Sequence, residues 1–260
     1  TANGLSTANG LSTANGLSTA NGLSTANGLM TTSMGRTQVA YLVRCALPAG
    51  ASIVKQDQNG NSYTFPGLLG MAPEWQNGSC GSTCQENVSA CMLAHVNTAG
   101  VHIPLWLVSP NSAVGWGLDP TYPNEEATFF GNIFTPNAHG VGQNTLPMYY
   151  CAGPQVRVNP PTGRLGSAQA SPPYTDPLGS QYALCGTNSC AQADNPYQPD
   201  GFKACLGWNN PVTVWRQNGT ASGTSGSSGM SSGTGGTSGT MPTPPPPPPP
   251  GHGLRDLDLW

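Results

Sequence analysis

Charge is the scarcest property of this sequence. Asp, Glu, Lys and Arg together make up 7% of its 260 residues, against about 25% in an average soluble protein. Two lysines, Lys55 and Lys203, and a net charge of −3 leave no basic cluster. Nucleic acid and anionic lipid are both recognised through such clusters. The sequence therefore predicts that nucleic acid is not a partner.

Long apolar runs and the common catalytic motifs are also missing. No stretch has the length and hydrophobicity of a transmembrane segment, and no signal peptide is present. The sequence contains no G-x-S-x-G elbow, no H-E-x-x-H pair and no phosphate-binding loop. Because it opens on Thr1 inside a repeat, we expect it to be truncated or processed upstream.

Cysteine, in contrast, is abundant and confined to the middle of the chain. The eight cysteines are Cys45, Cys80, Cys84, Cys91, Cys151, Cys185, Cys190 and Cys205. An even number of cysteines in a chain with little charge is typical of an exported protein with four disulfides. We therefore predict a secreted or cell-surface location. The pairing stays open, although Cys185 and Cys190 are close enough in sequence to form a small local loop.

Composition divides the chain into three parts. Residues 1–29 repeat the hexapeptide TANGLS, whose single leucine buries too little apolar surface to order the backbone, so we expect a flexible spacer rather than a β-helical stub. Residues 217–260 hold a Gly/Ser/Thr linker, seven consecutive prolines and a short C-terminal peptide, which we expect to be disordered. That peptide ends in LRDLDLW, which we interpret as a ragged end, with a docking peptide as the alternative. Residues 30–216 form the globular domain.

Hydrophobic periodicity predicts two amphipathic helices in this domain. Apolar residues at helical spacing place the first helix at 35–47, capped by Ser33 or a nearby threonine. The second helix begins at Thr83, which is expected to pair with Glu86 in a capping box, and runs to about Asn97.

Strand signals are fewer. Asn59–Gly60 between two β-rich segments predicts a hairpin. Residues 102–108 are typical of a short buried strand that Pro104 moves toward a sheet edge, and residues 212–215 of a closing strand. From residue 109 to residue 204 we expect a loop-rich chain. The predicted fold class is α+β: a small irregular disulfide-stabilised domain with two amphipathic helices, a hairpin and long loops, flanked by low-complexity tails.

The second helix carries a dense group of potential ligands. Cys80, Cys84, Cys91 and His95 have the side-chain types of a structural zinc site, but their spacing matches no common zinc finger. We therefore predict no metal and no cofactor. We interpret these cysteines as disulfide partners, with Cys91 or Cys84 bonded to Cys45 so that the two helices are joined.

One stretch near this helix looks like a protease motif. Residues 76–84, QNGSCGSTC, are similar to the Gln…Cys-Gly-Ser-Cys-Trp segment of papain-type cysteine proteases, in which the second cysteine is the nucleophile at a helix start. The sequence departs from that motif because Thr83 is inserted and Gln85 replaces the tryptophan. The histidines that follow also lie closer than in that family. A disulfide role for Cys84 is therefore preferred.

Acidic residues offer another enzymatic alternative, a secreted hydrolase. Asp119, Glu125, Glu126 and His139 lie in one loop-rich stretch, and Glu126 or Glu74 would be the general acid or base of such a site. Adjacent acids in loops are more often solvated than catalytic, so we expect solvated side chains here.

Aromatic side chains give the clearest functional signal. Many tryptophans and tyrosines lie in loops beside Asn, Asp and Gly, a combination that stacks on sugar rings and hydrogen-bonds to their hydroxyl groups. The densest group is Trp116, Asp119, Tyr122 and Asn124. We predict that this group binds a ligand, whereas Trp106 and Trp215 lie in apolar segments and are expected in the core.

Several segments between residues 36 and 216 resemble a group of Cys-rich exported proteins of myxobacterial type. The matching segments are YLVRCALPAG (41–50), SYTFPGLLGMAPEW (62–75), ENVSACMLAHVNTAG (86–100), WLV (106–108), FFGNIF (129–134) and GFKAC (201–205). The upstream Asn-Gly-Leu repeats are also similar to that group. The resemblance implies a surface or secreted location, and it transfers no activity and no catalytic residues.

The sequence therefore favours an exported binding or structural module at the cell surface or outside the cell. Its expected partner is polysaccharide or another envelope protein, recognised through loop aromatics. The alternative is a secreted hydrolase with a carboxylate or Cys–His site.

Overall fold

The computed structural model describes residues 28–96, 103–134, 148–153, 174–175, 181–184, 204–205, 207–217 and 254–255. Within these residues, two α-helices and nine strands make up a mixed domain, so the predicted α+β fold class is confirmed. The hexapeptide repeats before Gly28 lie outside the described residues, as do Asn97, His139, Cys185 and Cys190.

The first helix, α1, spans Ser33–Ala46 and follows a short 3-10 turn at Gly28–Thr31. Thr32 caps it, because its Oγ1 accepts a hydrogen bond of 3.0 Å from the amide of Gly35. A Cβ atom at Gly35 would lie 2.0 Å from the carbonyl oxygen of Leu29, so glycine lets the turn fold back against the helix. The cap is the threonine that the sequence offered, and the helix begins two residues before the predicted position.

The second helix, α2, spans Ser82–Ala94 and starts after Gly81. The predicted capping box is wrong, because no side chain caps this helix. Glu86 instead accepts a hydrogen bond of 2.7 Å from Asn210 Nδ2. A disulfide between Cys80 and Cys84 closes the first turn in place of the cap.

The predicted hairpin is present. β1 (Ser52–Gln56) and β2 (Ser62–Pro66) pair antiparallel, with Ile53 opposite Phe65 and both side chains buried. The turn between them contains Gly60 at a φ of 81°, a backbone conformation that glycine adopts readily.

A mixed sheet of seven strands forms the rest of the described domain, in the order β6-β7-β5-β4-β8-β3-β9. The strands are β3 (Leu105–Val108), β4 (Asn124–Gly131), β5 (Met148–Ala152), β6 (Tyr174–Thr175), β7 (Gln181–Leu184), β8 (Val212–Arg216) and β9 (Leu254–Arg255). Neighbouring strands are antiparallel except for β5 and β7. β8 is the closing strand that the sequence predicts, and it lies between β3 and β4.

The sequence predicted no strand in the loop-rich residues 109–204, but β4 and β5 lie in that stretch and pair with each other. All residues of β4 except the first are buried, so its sequence lacks the alternation of a half-exposed strand. A bulge between Glu125 and Ala127 shifts the register against β8, which further disturbs the alternation of inward and outward side chains along β4.

The core lies where the two helices meet each other and the sheet. The disulfide between Cys45 of α1 and Cys91 of α2 joins the helices, and it is one of the two pairings predicted for Cys45. α2 packs on β4 and β8, and Ser89 of α2 accepts a hydrogen bond of 2.9 Å from the amide of Ile133. Among the described residues, no helix is long and apolar enough to cross a membrane.

Candidate functional site

Residues 109–123, between β3 and β4, form a loop that we call the Trp116 loop. It carries two of the large apolar side chains that the described domain exposes to solvent. Trp116 is 38% exposed and Leu118 is 42% exposed, on either side of Gly117. The sequence pattern indicates Trp116 but not Leu118, since a lone leucine in a loop carries no ligand signal.

The first half of the Trp116 loop is fastened to two distant parts of the domain. Ser109 Oγ donates to the carbonyl of Pro211 at 2.8 Å, and Asn111 Nδ2 donates to the carbonyl of Met71 at 2.9 Å. The amides of Val114 and Gly115 both donate hydrogen bonds to the carbonyl of Asn111. Residues 109–115 are therefore held as a compact turn.

The second half of the loop rests on the indole ring of Trp106. Trp106 Nε1 donates to the carbonyl of Gly117 at 2.7 Å, and the ring stacks on Tyr122 with centroids 5.8 Å apart. Asp119 Oδ1 accepts from the amide of Thr121 at 2.8 Å, which shapes the turn before Tyr122. Trp116 and Leu118 therefore extend from a backbone that is fixed on both sides.

The four residues predicted to bind a ligand have different environments. Trp116 is exposed and Asp119 is half-buried in the same loop. Tyr122 is 4% exposed and packs with Trp106 and Val108, so its ring supports the loop from below. Asn124 begins β4, where its Nδ2 donates to the carbonyl of Arg216 at 3.4 Å. Trp116 is thus the aromatic member of the group that solvent reaches.

The other aromatic residues of the described domain are mostly internal. Trp75, Trp208, Tyr149 and Tyr150 are buried, so they pack the domain. Trp106 is buried as predicted, and Trp215 is half-buried against Trp106, Val108 and Tyr122.

The acidic residues do not gather into a hydrolytic pair in the described part of the chain. Glu125 and Glu126 are buried, so the expectation that they are solvated is wrong. Glu126 is ion-paired to Arg216 at 3.2 Å, which fits the general rule that a buried carboxylate needs a partner. Asp119 shapes a turn in the loop, and Glu74 is exposed in the 3-10 helix Pro73–Gln76. His139 lies outside the described residues.

The cysteines and His95 of α2 do not form the metal site that the sequence offered as an alternative. Cys45, Cys91 and His95 come together instead, with potential ligand atoms within 4.8 Å of one another. Cys45 and Cys91 are bonded to each other, and His95 Nδ1 lies 2.8 Å from the carbonyl of Cys91. A disulfide offers no thiolate, so this group supplies neither a metal ligand set nor a Cys–His nucleophile.

Cys84 is bonded to Cys80, which removes the thiol that a papain-type site requires. Cys151 and Cys205 are also disulfide-bonded. The described cysteines therefore stabilise the domain, as the sequence predicts. The predicted local bond between Cys185 and Cys190 lies outside the described residues.

Comparisons with known proteins found no match for this chain among family models, curated proteins or solved structures. The resemblance to Cys-rich exported proteins therefore stays a prediction. The function has to be argued from the site itself.

Proposed function

We propose that this protein is an exported binding module that recognises carbohydrate through Trp116. The observation that carries the proposal is an exposed indole on a loop that is anchored on both sides. Aromatic faces stack on the apolar faces of sugar rings. A fixed loop loses little conformational entropy on binding, so more of the contact energy remains as affinity.

Leu118 extends the apolar surface beside Trp116, and Asp119 follows it in the same loop. We propose that Leu118 widens the stacking surface and that Asp119 keeps the loop in its binding conformation through Thr121. This assignment changes the role of Tyr122, which supports the site from below instead of contacting the ligand.

Export is supported by the disulfides of the domain, since such bonds persist in oxidising compartments. The low charge of the chain and its polar, uncharged surface residues agree with polysaccharide or another envelope protein as the partner. A hydrolase is less well supported, because Glu126 is ion-paired and Cys91 is disulfide-bonded.

The experiment is a glycan-array screen of the full chain, followed by affinity measurements on each glycan that binds. Trp116→Ala should weaken binding at least about tenfold, which corresponds to about 1.4 kcal/mol. Leu118→Ala should weaken it less, and Val54→Ala, which truncates an exposed apolar side chain in β1, should leave it unchanged. No binding to any glycan, or equal binding by Trp116→Ala, would reject the proposal.

A further inference from the structure

A short strand from the C-terminal region closes one edge of the seven-stranded sheet. β9 pairs antiparallel with β3, with Trp106 opposite Arg255 and Leu107 opposite Leu254. On its other side, β3 pairs with β8 along its whole length. Without β9, β3 would be an edge strand whose outward N–H and C=O groups have no strand to pair with.

Within its own four residues, β3 has none of the features by which proteins protect an exposed edge. Natural edge strands carry charged side chains, prolines or bulges that prevent pairing with other strands. The four residues of β3, Leu-Trp-Leu-Val, are all apolar and all buried, and Pro104 lies just before the strand. The edge of β3 is therefore open to pairing with another strand, and β9 occupies it.

The connection to β9 is long enough for the segment to bind as a tethered ligand. β8 ends at Arg216, opposite Leu105, and β9 begins at Leu254, opposite Leu107 on the other side of β3, so their ends are about 12 Å apart. The 37 intervening residues (217–253) can reach about 120 Å when fully extended, which is far more than this distance. Tethering makes the pairing intramolecular, with an effective concentration on the order of millimolar, so a segment that binds weakly as a free peptide can still occupy the edge.

We propose that the edge of β3 is a binding site for an extended peptide, and that the C-terminal segment around Leu254–Arg255 is its resident ligand. Recognition is by main-chain hydrogen bonds, as in other cases of strand addition to a sheet edge. The C-terminal tail is then a tethered ligand of the domain instead of a spacer. This proposal concerns a surface other than the Trp116 loop and does not depend on carbohydrate binding.

The test removes the pairing of β9 with β3 in the full chain and then adds the same segment as a free peptide. Leu254→Pro with Arg255→Pro removes both backbone donors of β9. A labelled peptide of residues 251–260, GHGLRDLDLW, should bind this variant at least about tenfold more tightly than the wild-type chain, whose edge is occupied. The same peptide with the two prolines should bind neither chain. Ser227→Pro with Ser228→Pro, placed in the tether, should behave like the wild type.

Hydrogen exchange gives a second readout that needs no peptide. The β3 amide that faces β9, at Trp106 or Leu107, should exchange at least about tenfold faster in the double-proline variant than in the wild type. An unchanged near-ultraviolet circular dichroism spectrum verifies that the variant is folded. The proposal is overturned by unchanged amide exchange, by a free peptide that does not bind the opened chain, or by equal binding to the wild type.

Discussion

Lys55 is a buried lysine in β1, directly opposite Tyr63 in the hairpin. Its Nζ has no hydrogen-bond partner among the described residues. Burial lowers the pKa of Lys55 from 10.5 to about 8, because the charged form loses its hydration. The folded chain therefore binds this proton more weakly than the unfolded chain does.

The lowered pKa of Lys55 predicts how stability depends on pH. Below pH 8 Lys55 is protonated in both the folded and the unfolded state, so the folded state bears the full cost of burying the charge. Above pH 8 the folded state releases its proton first, so the free energy of unfolding rises with pH toward 10. Lys55→Met should remove this rise and stabilise the protein at pH 7 by on the order of 1–3 kcal/mol. Urea unfolding at pH 7, 8 and 9.5 measures both effects. Equal pH dependence in the two proteins would contradict the assignment.

Asp57 organises the hairpin turn through both carboxylate oxygens. Oδ1 accepts from the amides of Asn59 and Asn61, and Oδ2 accepts from Asn61 Nδ2 and the Tyr63 hydroxyl. These bonds, with the Asn61 side chain first, lower the pKa of Asp57 from 3.8 to about 2. The sequence predicted the turn from Asn59–Gly60, and the four-bond role of the preceding aspartate went unrecognised.

The hydrogen bonds of Asp57 predict a loss of stability in acid. A carboxyl group whose pKa is lowered by folding stabilises the folded state above pH 4, and this contribution is lost as the pH falls toward 2. Asp57→Ala should therefore lower the melting temperature at pH 7 and reduce the difference between pH 7 and pH 2.5. Gln58→Ala, an exposed position in the same turn, is the matched control. An Asp57→Ala protein with wild-type acid sensitivity would show that the turn does not depend on the carboxylate.

The Trp116 loop shows which parts of a site can be predicted from local sequence. Trp116 lies between Gly115 and Gly117, a setting that is typical of an exposed loop. Tyr122 lies in the same loop, between Thr121 and Pro123, yet it is buried because Trp106 of β3 stacks on it. Burial that depends on packing against another element cannot be read from adjacent residues.

At the scale of elements, the two disulfides among the described residues close loops of different length. Cys45 and Cys91 are 46 residues apart in sequence, whereas Cys80 and Cys84 are 4 apart. In the chain-entropy description a longer loop restricts the unfolded chain more, which gives about 4 kcal/mol for the first bond and about 2 kcal/mol for the second. The first bond also joins the two helices.

This difference in loop length predicts unequal effects of removing each bond. Cys45→Ala with Cys91→Ala should lower the free energy of unfolding by about 4 kcal/mol, and Cys80→Ala with Cys84→Ala by about 2 kcal/mol. Equilibrium unfolding in guanidinium chloride measures the two losses in matched pairs. A larger loss from the short loop would mean that the first turn of α2, and not the junction of the helices, limits stability.

Elements with a strong local pattern were predictable. α1 follows helical apolar spacing and ends before Pro48. The hairpin contains Asn59–Gly60, a dipeptide typical of β-hairpin turns. β4 was missed because it begins with Asn-Glu-Glu and is then buried on both faces. Its assignment requires β5 and β8 as neighbours, and such long-range pairing leaves little local signal.

At the scale of the whole molecule, the domain combines a low-charge sequence with a core fixed by disulfides. The sequence indicated the two helices and a bond from Cys45 to either Cys91 or Cys84, but not a sheet of seven strands. It also assigned no element to Leu254–Arg255, because two residues in a low-complexity tail have no pattern of their own. Their pairing depends on the apolar edge of β3, which the sequence assigned to a buried strand.

Carbohydrate binding through Trp116 is the central claim, and indole resonances test it most directly. The chain has six tryptophans, whose Nε1–H signals can be assigned in nitrogen-15 spectra with single tryptophan-to-phenylalanine variants. On titration with a glycan from the array, the Trp116 signal should shift with saturation, while the signals of buried Trp75 and Trp208 should stay in place. Saturable binding that leaves the Trp116 signal unmoved would contradict the account.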